Sequence, residues 1–284
     1  MAWLDEFLAE ERLPPEFRAT MEAICIPLAD AARARAGQAA GPLVVGLCGS
    51  QGSGKSTIAA ATARLLADMG LACARLSIDD LYMTREERRA LARRIHPLLV
   101  TRGPPGTHEV GLGEAVLDAL AAGGPVLLPR FDKGRDTRRP PEEWESFGGA
   151  ADIVIFEGWC VGARPQPETA LLDPVNALEA EEDPHGVWRA YVNDQLAGPY
   201  RSLFARIGLF AFLQAPGFDA VLAWRTEQEA KLRAREPHAP KLMSPTQIAR
   251  FIAHYERVTR HLLEEAPSRA DLVFRIDARR RPLP

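Results

Sequence analysis

Residues Gly49-Ser50-Gln51-Gly52-Ser53-Gly54-Lys55-Ser56 form a complete G-x-x-x-x-G-K-S phosphate-binding loop, and their surroundings decide the fold. The apolar run from Leu43 to Cys48 before it suits a buried strand, and the stretch from Thr57 to Leu66 after it is a good helix former. Glycines at 49, 52 and 54 let the backbone wrap an anion, with successive N–H groups turned inward. The positive end of the following helix adds to the attraction. Lys55 is placed to reach the β- and γ-phosphates and the Ser56 hydroxyl to ligate Mg²⁺, so Gly49 to Thr57 read as the contact surface for a nucleoside triphosphate.

At 284 residues and 46% hydrophobic, the chain can bury one large core, or a core with a small subdomain. Its formal charge of −3 is spread out, which argues against a broad nucleic-acid face. The run Arg279-Arg280-Arg281 reads most simply as a solvated tail. No apolar stretch approaches the ~20 residues of a membrane span, and the acidic, amphipathic start is unlike a secretory signal. Cys25, Cys48, Cys73 and Cys160 form no metal-like spacing, so a reducing cytoplasm fits best.

Helices are expected over 3–12 and 15–36, as an N-terminal extension covering residues 1–40. From residue 41 to 284 strands and helices alternate: strands near 71–78, 125–129, 152–156, 207–213 and 272–276, with helices at 111–122, 186–205, 218–234 and 245–265. This order predicts an α/β fold of the P-loop NTPase kind, a parallel sheet with helices on both faces. Ligands then bind beyond the carboxyl ends of the strands. Irregular stretches at 130–149 and 158–185 are expected to be functional lids or substrate loops, and 96–110 is grouped with them as a loop on the acceptor side.

Acidic residues follow two of the strands. Asp79 and Asp80 close Leu76-Ser77-Ile78 beside the expected γ-phosphate. Phosphoryl transfer needs a group that accepts a hydroxyl proton and orients the oxygen, and Asp79 suits that role. Asp80 is open between a helix cap, the metal shell and catalysis. Glu157, after Ile153-Val154-Ile155-Phe156, is the expected second Mg²⁺ group.

The combination G-S-Q-G-S-G-K-S, S-I-D-D-L-Y and F-E-G-W-C-V-G resembles the phosphoribulokinase/uridine kinase/pantothenate kinase group of P-loop kinases. Residues 102–109 (R-G-P-P-G-T-H-E), 128–133 (L-P-R-F-D-K), 174–179 (P-V-N-A-L-E) and 188–193 (W-R-A-Y-V-N) narrow the resemblance to plant-type D-glycerate 3-kinases and their bacterial and fungal relatives. Leu81 departs from the Phe usual there. The resemblance implies Asp79 as base, Asp132 holding acceptor hydroxyls, and a lid over about 224–241. It points to an ATP- and Mg²⁺-dependent kinase acting on a small hydroxy acid, with D-glycerate to 3-phosphoglycerate as the leading reaction. Another acceptor (a nucleoside, pantothenate or a sugar acid) or an NTP-hydrolysing switch stands as the alternative. Monomer and homodimer both remain open.

An anionic acceptor needs a cation or N–H cluster. Arg102, His108, Arg130 and Lys133 are the candidates, with Asp132 and Tyr82 completing the substrate set. Trp159 reads as either a pocket wall or a core residue. Arg225 and Arg233 are the lid residues chosen for phosphate contact, although Glu227–Lys231 and Glu229–Arg233 pairs would also suit a solvated helix.

Overall fold

In β1 (Leu43–Gly49) all seven residues are buried, so this strand must lie inside a sheet covered on both faces. A computed structural model describes the chain except Ala2, Ala40, residues 236–241 and the side chains of Leu232 and Arg235. Preceding β1 are α1 (Leu4–Glu10), α2 (Phe17–Thr20), a π-helical stretch Met21–Cys25, and α3 (Ile26–Ala36). The expected helix over 15–36 therefore exists with a widened turn just before Pro27, whose missing N–H cannot serve a regular helix interior.

After β1 come α4 (Lys55–Asp68), β2 (Cys73–Ser77), α5 (Arg85–Arg94) and α6 (Val110–Ala122). Then follow short strands β3 (Val126–Leu128), β4 (Phe131–Asp132), β5 (Thr137–Arg138) and β6 (Glu145–Phe147), and the buried β7 (Ile153–Gly158). The rest is α7 (Ala177–Glu182), α8 (Val187–Ala197), α9 (Pro199–Phe204), β8 (Leu209–Gln214), α10 (Phe218–Arg235), α11 (Pro245–Glu265) and β9 (Leu272–Arg275).

The central sheet is parallel with strand order β2-β7-β1-β8-β9. The strand expected at 125–129 corrects that reading in one respect: β3 pairs antiparallel with β6 outside the central sheet. Likewise 186–205 is two helices, because Gly198-Pro199 ends one and begins the next.

Alternating side chains of β1 feed two cores. Val44 and Cys48 join Phe156, Trp159, Tyr200 and Tyr255 on one face. Leu43, Val45 and Leu47 join α4 and the N-terminal helices, including Phe7, Met21, Ile24 and Leu28, on the other. The N-terminal extension is thus packed into the same core as the phosphate loop's own strand and helix.

Two buried ion pairs organise the segment 158–185. Glu179 lies fully buried and takes two hydrogen bonds from Arg257, at 2.8 and 2.6 Å, while Arg257 also donates to the Ala170 and Asp173 carbonyls. Asp183 pairs with Arg189 at 3.0 Å, and Arg189 reaches the Leu171 carbonyl. Asn176 caps α7 and donates to the Ala253 carbonyl of α11. The P-V-N-A-L-E and W-R-A-Y-V-N segments are therefore fasteners that hold a long connection to α8 and α11.

Candidate active site

Because the sheet is parallel, the carboxyl ends of β1, β2 and β7 open on one edge. The phosphate loop leaves β1 there. Gly52 and Gly54 take φ of +78° and +93°, which a side chain rarely tolerates. A Cβ on Gly52 would also stand 2.7 Å from Trp224 Cβ, so α10 lies directly against the loop. The polar side-chain atoms of Ser50, Gln51 and Ser53 are buried without partners. Buried polar atoms are normally satisfied. This loop, opening onto the N-terminus of α4 with Lys55, Ser56 and Thr57, therefore suits a polar anionic group.

Ser56 Oγ donates to Glu157 Oε1 at 2.9 Å, while the buried Oε2 has no partner. Leu47 and Glu157 are register partners, which sets the carboxylate beside the loop. One carboxylate and one hydroxyl fit Mg²⁺, which keeps several waters and uses phosphate oxygens for the rest of its shell. Among the described residues no group of three His, Cys, Asp or Glu forms a metal cluster. Gly158 follows because a Cβ there would meet Ile78 at 2.4 Å. The close approach brings the end of β7 against the turn that carries Asp79.

That turn, Ile78–Leu81, is capped by Ser77. Asp79 Oδ1 accepts from the Tyr82 hydroxyl at 2.8 Å, and Oδ2 from Lys133 Nζ at 2.6 Å. Burial pushes the Asp79 carboxyl up, but the Lys133 and Lys55 charges with these two hydrogen bonds outweigh it, holding the group well below the usual carboxylate range. The Asp79 charge in turn raises the Lys133 ammonium.

Asp80 turns the other way. Its Oδ1 accepts the Phe131 N–H at 3.0 Å and its Oδ2 faces Arg130 at 3.4 Å. Both oxygens are thereby engaged by the 130–149 loop, and Asp80 fastens that loop rather than joining Ser56 and Glu157. Burial pushes its carboxyl up to about 6, against the pull of Phe131 N–H and Arg130. Between the ordinary value of 3.8 and about 6 the folded protein holds a proton that the unfolded chain has lost. The associated stability is present at low pH and is lost as pH rises through that window, by at most about 3 kcal/mol. Buried His108 and His254 stay neutral in the fold and add stability as pH rises over the same range, so the Asp80 contribution is read as a difference. From about pH 4.5 to pH 7, stability to urea should climb more in Asp80→Asn than in the wild type. Equal pH slopes would contradict it.

Tyr82 stacks on His108 with centroids 4.6 Å apart and meets Phe131 edge-on at 5.2 Å. His108 Nδ1 lies 2.6 Å from the Tyr200 hydroxyl, which already accepts the Gly106 N–H. The ring's other nitrogen, Nε2, is buried without a partner. Burial drives the His108 imidazole down to about 3, so the ring is neutral. Its surroundings make it a buried wall behind Tyr82, and no free cation.

Arg102 is committed to Asp136 at 2.5 Å, which also holds the buried Arg88 at 2.7 Å. Arg130 is shared between Asp80 and Glu145. Asp132 Oδ1 accepts the Arg135 N–H at 2.8 Å, closing its own turn. Trp159 is buried, donates to the Gly103 carbonyl at 3.2 Å and meets Tyr255 edge-on. Of the cationic candidates on the acceptor side, Lys133 is the one brought to Asp79.

On α10, Arg225 pairs with Glu229 at 2.9 Å and lies over the Phe251 ring. The expected Glu227–Lys231 pair is present at 2.5 Å. Glu229 pairs with Arg225 in place of Arg233, which donates to the Met243 carbonyl at 2.9 Å. Glu229 is buried and also accepts the Met243 N–H, which draws it inward and away from Arg233. The final part of the expected lid, residues 236–241, lies outside the described residues.

Sequence reasoning missed Tyr200 and Tyr255, which hold the 102–108 loop from α9 and α11. Both contacts join residues far apart in the chain, and no local pattern announces them.

Residues 44–163 match the Phosphoribulokinase / Uridine kinase family. The chain is 33% identical over 223 residues to the uncharacterized kinase mug58 of Schizosaccharomyces pombe, covering 75% of this chain and 78% of that protein. It is 28% identical over 260 residues to the chloroplastic D-glycerate 3-kinase of Arabidopsis thaliana, covering 85% of this chain and 54% of the plant protein. The chain thus spans about half the length of that relative. A solved D-glycerate 3-kinase from Cryptococcus neoformans has the same fold, with a TM-score of 0.75 at 24% identity over 92% of this chain and 98% of that one. Among the described residues no helix is long and apolar enough to cross a membrane. With the phosphate loop, the parallel sheet and these relatives together, the chain belongs to the phosphoribulokinase/uridine kinase family of P-loop kinases.

Proposed function

We propose that the protein transfers the γ-phosphoryl group of ATP, with Mg²⁺, to a hydroxyl of a small hydroxy acid, with D-glycerate as the leading acceptor and 3-phosphoglycerate as the product. The observation that carries this reading is the Asp79–Lys133 pair at 2.6 Å, set at the strand edge that also carries the phosphate loop. A carboxylate and an ammonium side by side match an acceptor that presents a hydroxyl and a carboxylate. Relatives of this chain that are D-glycerate 3-kinases support the choice of acceptor.

Bound MgATP would supply the phosphoryl group and the charge that the metal neutralises. The loop from Gly49 to Thr57 would hold the polyphosphate, with Ser56 and Glu157 holding the metal. Lys55 would stabilise charge on the transferred group, and Arg225 would join it from α10. An acceptor hydroxyl that takes an Asp79 oxygen from Lys133 restores basicity to the carboxylate. The freed ammonium is then available to the acceptor's own carboxylate. Closure over this site would exclude water and favour transfer to the acceptor over hydrolysis. The free cysteines accord with a cytoplasmic setting.

The test is a coupled ADP-release assay with MgATP across D-glycerate, L-glycerate, pantothenate, uridine and ribulose 5-phosphate. Saturable turnover with D-glycerate is expected, and chelating the metal should abolish it. Turnover confined to another acceptor would replace the substrate while keeping the chemistry.

A further inference from the structure

The run Arg279-Arg280-Arg281 is more than a solvated tail. After β9 the chain folds back: Asp277 Oδ1 accepts the backbone N–H groups of Arg279 and Arg281, each at 2.8 Å, and Asp277 N–H donates to the Arg281 carbonyl at 2.9 Å. Ile276 bridges to Pro282 beyond the turn. This turn holds Arg280 at φ +63°, a left-handed conformation that side chains seldom adopt.

From that position the guanidinium meets three groups. Arg280 Nε donates to the Gly52 carbonyl at 2.6 Å. Its Nη2 pairs with Glu227 of α10 at 2.8 Å. Its Cζ stands 5.3 Å from the centroid of the Trp224 ring. Trp224 completes the circle, since its indole N–H donates to the Ala278 carbonyl at 2.7 Å and its Cβ abuts Gly52. A planar fork can serve a carbonyl, a carboxylate and a ring at once, which a lysine ammonium cannot.

We propose that Arg280 is a positioning residue for the donor nucleotide. It fixes the Gly52 carbonyl from behind, holds the phosphate loop in its anion-ready form, and fastens α10 to that loop. Binding then costs less ordering of the loop. The inference rests on the reading that this loop holds ATP.

Arg280→Gly separates positioning from folding, because glycine adopts φ +63° freely while removing the guanidinium. Calorimetric titration with MgATP should show about tenfold weaker binding than wild type, with an unchanged melting temperature. Millimolar guanidinium should restore much of the loss, and the acceptor KM should stay level. Arg280→Lys should fall between the two. Wild-type affinity in Arg280→Gly would overturn the inference alone. Weaker binding accompanied by a lower melting temperature and no rescue would overturn it as well, by reducing Arg280 to a structural role. A wild-type protein that binds no MgATP would overturn the donor reading and this inference with it.

Discussion

Replacing Asp79 by Asn is expected to lower kcat by about 10²–10⁴-fold, the range that general-base assistance supplies. The interaction with the transferring proton exists only as the reaction proceeds, so kcat and kcat/KM for the acceptor should fall together. Affinity for MgATP should stay within about threefold, because in the proposed function the loop and Lys55 would hold the donor. Asn keeps an oxygen for the Tyr82 hydroxyl and loses mainly the pair with Lys133. Lys133 is 61% exposed, and ion pairs with one exposed partner contribute little to stability, so the variant should fold. Turnover unchanged in Asp79→Asn would remove Asp79 from the role of base.

Glu179→Ala should cost about 3–5 kcal/mol of stability, because it strands a charge in the interior. Arg257 is 5% exposed and Glu179 is fully buried, so the guanidinium has little water to turn to. Its bonds to the Ala170 and Asp173 carbonyls survive but leave its charge unbalanced. Glu179→Gln should lose less, since the amide oxygen still accepts a hydrogen bond. Urea unfolding of the full chain measures both. A loss below about 1 kcal/mol in Glu179→Ala would contradict this, showing that the Arg257 charge is not stranded when its partner is removed. Since Glu179 anchors the 158–185 segment, that segment should loosen along with the fall in stability.

Much of the site was legible because its parts are local. The phosphate loop carries its strand, its glycines and its helix in one continuous stretch, and Asp79 and Glu157 each follow an apolar run by one step. The Glu157–Gly158 pair was readable as a motif, while its reason, contact with Ile78, needed the fold. Other features depend on distant partners. Val126–Leu128 has the apolar character of a sheet strand, and nothing in its periodicity says which strand it joins. Arg102 and Asp132 read as free acceptor groups and Asp80 as a cap, metal-shell or catalytic carboxylate, yet neighbouring loop atoms engage each one. The charge run at 279–281 suggested solvation, while Arg280 reaches Gly52 across 228 residues of chain. Breaks at Gly198-Pro199 and before Pro27 follow from proline's missing N–H. Those two were open to a stricter reading of the same letters.

The proposed function requires transfer of a phosphoryl group to an acceptor hydroxyl rather than to water. The most direct measurement resolves the acceptor assay by phosphate fate, following ADP and inorganic phosphate together with and without saturating D-glycerate. ADP release that depends on D-glycerate is expected, with the phosphorus recovered as a phosphate monoester and scarcely any as inorganic phosphate. Equal release of ADP and inorganic phosphate, indifferent to every acceptor, would contradict it and make the chain a nucleotide hydrolase.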